Sequence, residues 1–109
     1  MRNQYIPINK ELVPYYFEIL LNEELFKLQI NYNSSADFFT VDLYKNDELV
    51  CAGEPIVYGV QLWGDMYQKG KYPNLKIVPF DESDESNAVT YDNINSTVYL
   101  AVIGEIENE

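Results

Sequence analysis

Histidine is absent from this 109-residue chain, cysteine occurs once, and no lysine or arginine follows Lys76. Without imidazole there is no Ser/His or Cys/His nucleophilic pair, no histidine-built metal site and no side chain that titrates near neutrality by default. A single Cys51 cannot close an internal disulfide, and its apolar setting suits burial as a small hydrophobe. No run approaches the ~18 apolar residues that spanning a bilayer requires. The opening stretch, MRNQYIPINKELVP, lacks the apolar segment of a secretory signal, so the chain is expected to be cytoplasmic when made. No polybasic segment is present to seek anionic lipid. Glycines at 53, 59, 64 and 70 are scattered as turn residues and open no phosphate-binding loop.

What the chain has is acid and aromatic carbon. Eighteen acids against seven bases give a net charge of −11, and Asp81, Glu82, Asp84, Glu85, Asp92, Glu105, Glu107 and Glu109 all lie beyond the last base. That field disfavours direct binding to nucleic acid. Aromatics make up 15% of residues, including ten tyrosines, which favours strands. The length suits one domain, residues 1–109, burying roughly 60–70% of its unfolded surface. Its last residues, 105–109, read as a fraying tail.

Alternation of period two runs through most of the sequence. Phe17, Ile19 and Leu21 share one face of a first strand; Phe26, Leu28, Ile30 and Tyr32 share one face of a second, after a short polar link at 22–24. Phe39, Val41 and Leu43 mark a third strand, and Lys45 to Glu48 a turn before LVCA. Residues 15–52 therefore read as a four-stranded antiparallel meander whose apolar face needs a cover. In VQLWGDMYQKG, apolar residues three or four apart predict a short helix over 60–68 to supply it. LKIVPF is a strand whose Pro79 belongs at an edge or bulge. DESDESN reads as a solvated, mobile loop, Asp92 to Ser96 as a turn, and TVYLAVIG as a buried closing strand. The fold class is mainly β: a small antiparallel sheet or partly closed barrel built from hairpins, with one short helix over it.

No motif carries chemistry. Asp81 to Glu85 offers oxygen ligands without the spacing or central glycine of a calcium loop, and reads as a solvated acidic turn. The residues that draw notice are Tyr58, Trp63, Met66, Tyr67 and Tyr72, because these residue types are enriched at interfaces as well as in cores. Trp63 suits a core lid; Tyr72, beside Lys69, Lys71 and Pro73, suits an exposed contact. Leu75, Ile77 and Tyr99 are the candidates for strand-edge pairing with a neighbour. These eight residues form the expected partner-binding set, with no catalytic residue, metal ligand or cofactor site beside them.

The run VDLYKNDELVCAGEPIVYGVQLWGDMYQKGKYPNLKIVPFDESD, followed by TVYLAVI, resembles the small baseplate plug proteins of tailed bacteriophages. In that family an N-terminal strand with Pro and Ile precedes a hairpin and a W-x-L-D-L-Y-like strand, matched in position by FFTVDLY. A P-I-V-x-G-V-x-L-like stretch corresponds to Pro55–Leu62, a G-x-L-x-V-x-D-like strand to Asn74–Asp81, and an L-Y-V-like closing strand to Thr97–Val102. Phe39 stands where a tryptophan is common, and the acidic loop after Phe80 is longer than usual.

The resemblance implies a structural part of a phage or tail-like-particle baseplate, near the hub and tube end. It would touch hub, tail-tube and other baseplate proteins in multiple copies, assemble in the bacterial cytoplasm, and touch neither nucleic acid nor membrane. Two other classes fit the residues alone: an acidic mimic of nucleic acid that inhibits a nuclease or repressor, and a small carbohydrate-binding module or enzyme with Trp63 and tyrosines stacked on sugar.

Overall fold

The computed structural model describes residues 4–21, 23–64, 71–73 and 75–105. Its strands are β1 (Gln4–Ile6), β2 (Tyr15–Leu21), β3 (Glu24–Asn33), β4 (Phe38–Lys45), β5 (Glu48–Pro55), β6 (Leu75–Phe80) and β7 (Tyr99–Glu105). They form two antiparallel sheets, one ordered β2-β3-β4-β5 and the other β1-β7-β6. The meander read from residues 15–52 is therefore present, extended to Pro55.

Each hairpin follows from local chemistry. Asn46 and Asp47 both take positive φ, 54° and 63°, the backbone that a two-residue turn between twisted strands demands and that Asn and Asp tolerate. Between β3 and β4 the Asn33 carboxamide accepts the N–H groups of Ser35 and Ala36, at 3.0 and 3.2 Å, and so shapes the link to β4. Alternation then sends Phe26, Leu28 and Ile30 of β3 and Phe39, Val41 and Leu43 of β4 to one face, where all are buried. Ile6, Ile77 and Leu100 from the second sheet, and Val98 just before β7, join the same continuous core. The two layers thus satisfy each other, as sheets with one apolar face must.

Two expectations about architecture are corrected. No closed barrel forms: among the described residues the hydrogen-bonded ladders stay within each of two antiparallel sheets, and no strand closes one onto the other. The short helix over 60–68 is absent from its described part, and residues 65–70, with Met66 and Tyr67, lie outside the described residues. Trp63 sits at φ 55°, a left-handed backbone that a right-handed helix cannot contain. The Leu62 N–H donates to the Ile77 carbonyl at 2.9 Å and the Trp63 N–H to the Glu54 carboxylate at 2.8 Å, so neither serves a helical turn. The three-to-four spacing arises from an irregular connector laid along β6.

That connector joins the layers. Ile56 N–H donates to the Phe39 carbonyl on β4, and Gly59 N–H to the Pro79 carbonyl on β6, at 2.9 and 2.8 Å. Gly59 has φ 75°, a conformation costly for residues with a Cβ. Pro79 lies, as expected, on an outer strand of its sheet. The frayed tail expected at 105–109 falls outside the described residues except Glu105, which belongs to β7.

Phe39 has no exposed surface and its ring lies 4.7 Å from Tyr32 and 6.3 Å from Tyr91. Phe39→Ala is expected to destabilise the fold by about 3–5 kcal/mol in urea unfolding, as removal of a large core ring does.

Candidate functional site

The structure separates the residues that the sequence grouped. Trp63 is buried, 4% exposed, with its ring 6.3 Å from that of Tyr72. Tyr72, expected on the surface beside two lysines, is buried as well, at 9% exposure. Burial pushes the hydroxyl pKa of Tyr72 up, and its contact with the Cys51 thiol acts in the same direction. Burial likewise raises the thiol of Cys51, which is half-buried and free. Trp63, Tyr72 and Cys51 therefore pack between the connector and the β4–β5 hairpin rather than forming a surface. Among the described residues the Trp63 indole N–H is buried without a hydrogen-bond partner.

The edge candidates divide. Leu75 and Ile77 are on β6, an outer strand, but the connector already uses the Ile77 and Pro79 carbonyls, and the Ile77 side chain is fully buried. Tyr99 lies on β7, between β1 and β6, so it is no edge residue. Its half-buried ring instead sits 5.0 Å from Tyr5. Tyr58 is half-buried, and its hydroxyl accepts the Asp81 N–H at 3.0 Å.

Two acidic side chains play structural roles that composition concealed. Asp81, expected in a mobile loop, is 5% exposed. Its carboxylate accepts the Ser83 hydroxyl at 2.6 Å, the Ser83 N–H at 2.8 Å and the Ser86 N–H at 2.9 Å. The Ser83 hydroxyl, ahead of the backbone donors, holds its pKa down to about 2 against the opposing effect of burial. Asp37 is the second. It accepts the Tyr32 hydroxyl at 2.6 Å and the Tyr91 N–H at 3.0 Å, which ties the β3–β4 link to the segment before β7. The bond from Tyr32 lowers the Asp37 pKa, and in return Tyr32 is pushed up to about 12. An aspartate with hydroxyl neighbours two residues away is the signal that DESDES carried; the pairing of Asp37 with Tyr91 crosses 54 positions and left none.

Outward, the first sheet shows Tyr16, Leu20 and Leu25, exposed by 64, 67 and 51%, with Leu20 paired to Leu25. At the flank of β2 an open groove of about 610 Å³ is lined by Pro7, Ile8, Tyr15, Phe17 and Ile94 among others. Among the described residues no three His, Cys, Asp or Glu side chains are placed to hold a metal ion. No helix there is long and apolar enough to cross a membrane.

A small two-sheet domain whose salient surface features are apolar side chains, a groove and strand edges is built for contact with other macromolecules. The chain belongs to the family described as "Cyanophage baseplate Pam3 plug gp18", whose pattern matches residues 3–105. No curated protein matches it. The family assignment supports a structural role in a phage baseplate in contact with other baseplate proteins.

Two outcomes follow. Asp81 has its carboxyl pKa below the ordinary 3.8 in the folded state, so its stabilising effect is complete above that value and is lost as pH falls from about 4 through about 2. Asp81→Asn should lower the melting temperature at neutral pH and flatten the acid limb of the melting curve. Trp63→Ala should cost about 3–5 kcal/mol in urea unfolding; an unchanged melt with impaired particle assembly would assign the ring to an interface.

Proposed function

We propose that this protein occupies a plug position near the hub and tube end of a contractile-tail baseplate, in repeated copies, and acts by protein–protein assembly without transforming a substrate. The match over residues 3–105 carries this reading. The distribution of side chains supports it: aromatic carbon such as Phe39, Trp63 and Tyr72 stiffens the interior, while Tyr16, Leu20 and Leu25 give the surface an apolar area to bury. Its neighbours are hub, tail-tube and other baseplate proteins, met first in the host cytoplasm and then in the virion. Within the expected partner-binding set, the half-buried Tyr58, Leu75 and Tyr99 retain surface for such contacts, and Trp63, Tyr72 and Ile77 support them from beneath. The acids keep the free chain soluble and complement basic neighbours.

The test is to purify tail particles, identify this chain in them, locate it by electron cryomicroscopy and wash them at about 0.5 M salt, where the Debye length falls to a few ångströms. Apolar contacts should hold the chain in the baseplate through the wash. Absence from particles, or full release at that salt together with capture of a nuclease or repressor by the free chain, would favour the acidic nucleic-acid mimic instead.

A further inference from the structure

The two sheets end in four outer strands, and three of them are blunted. β1 spans three residues, Gln4–Ile6, among those described. β6 is covered by the connector, through the bonds from Gly59 and Leu62. β5 ends in Pro55 and carries irregular register against β4, with Gly53 at φ 75° and its N–H turned onto the Asp42 carboxylate at 2.7 Å. Short strands, covers, prolines and bulges are the devices that close a sheet edge to further pairing. Among the described residues β2 has no cover, bulge or internal proline. It runs seven residues in unbroken register with β3, and the backbone groups of alternate residues face outward along its far side.

The core takes in Leu21 at the end of β2 but covers the rest of that strand only in part. Ile30, Leu28 and Phe26 of β3 are 0–1% exposed, whereas their cross-strand partners Tyr15, Phe17 and Ile19 are only half-buried. Beside them lies the groove of about 610 Å³, walled by Pro7, Ile8 and Ile94. A strand added to β2 would direct alternate side chains into that groove, extending the core by one row.

Charge selects the occupant. Glu18 is exposed at the midpoint of β2 and forms no ion pair among the described residues; Lys27, its cross-strand partner, is bonded to Asp47 at 3.5 Å. Glu11 lines the groove, and Lys10 beside it points its ammonium at the Tyr91 carbonyl, 2.7 Å away. Full antiparallel pairing of β2 with β2 of a second copy would set Glu18 opposite Glu18 and join two chains of charge −11, which is repulsive at short and long range.

We propose that β2 receives an extended segment of a different baseplate polypeptide, alternately apolar and basic, as an additional strand of the sheet. The apolar side chains fill the groove and a basic one meets Glu18 on the outer face. This deepens the baseplate assignment and rests on it.

Amide hydrogen exchange of the free protein and of the same protein in intact tail particles tests it. The outward-facing, alternate amides within residues 16–20 should gain at least about tenfold protection on assembly, and their exchange in the free protein should not depend on concentration. The protein present in particles with β2 exchange unchanged overturns the edge proposal and leaves the baseplate assignment standing; absence from particles overturns both. Protection that grows with concentration of the isolated chain shows a second copy on the edge and overturns the hetero-partner. Glu18→Lys, on the surface, should retain the melting temperature and reduce incorporation into particles by about tenfold, a difference of about 1.4 kcal/mol, with Glu18→Gln intermediate. Equal incorporation of all three overturns the basic occupant.

Discussion

Residues 56–62 make the contacts on which the rest of the fold depends, because they are the only described stretch whose backbone is bonded to both sheets. Ile56 closes onto Phe39 of the first sheet; Gly59 and Leu62 close onto Pro79 and Ile77 of the second. Each sheet has one apolar face, and neither face is stable against water. By holding β6 in place beside the end of β5, the connector positions the β1-β7-β6 layer over Phe26, Leu28, Ile30, Phe39, Val41 and Leu43. It also consumes the β6 edge, so the surface left for a partner is decided by the same bonds that assemble the core.

The polar nodes at Asp37 and Asp81 act on the other end of the second layer. Asp81 folds the loop after β6 around its own carboxylate, and Tyr58, from the connector, receives the Asp81 N–H. Asp37 reaches from the β3–β4 link to the backbone of Tyr91, beneath which Tyr32 and Phe39 stack. Hydrogen bonds that join distant segments at a layer boundary contribute roughly 1 kcal/mol each in general, less than core burial, but they set geometry that apolar packing leaves loose. A strongly acidic chain thus uses carboxylates of Asp37, Asp42, Glu54 and Asp81 as acceptors for backbone N–H groups.

Such a body suits a component that works by position. Its interior holds aromatic rings such as Phe26, Phe39, Trp63 and Tyr72, and among the described residues the edges of β1, β5 and β6 are blunted by shortness, irregular register or cover. On the proposal that β2 receives a partner strand, a single open edge would direct contact while the blunted edges resist unintended pairing.

Alternation of apolar residues by itself determined the four strands within residues 15–52 and their antiparallel order, because side-chain direction in a strand has period two and short polar links permit only neighbouring pairing; the extension of the last strand to Pro55 came from the structure. The order of elements along the chain also sufficed for the family. What the sequence could not decide was everything that depends on which surfaces meet. Leu62 and Trp63, read as part of a helix, lie in or beside an irregular connector since β6 offered backbone acceptors to Gly59 and Leu62. Tyr72 is inside and Asp81 is half a loop's anchor because neighbours remote in sequence surround them. Tyr99 is on the middle strand of its sheet and β2 on the outside of the other because sheet order follows from layer packing, a non-local property: the residues of an outer strand look like those of a middle one until the strands have taken their places.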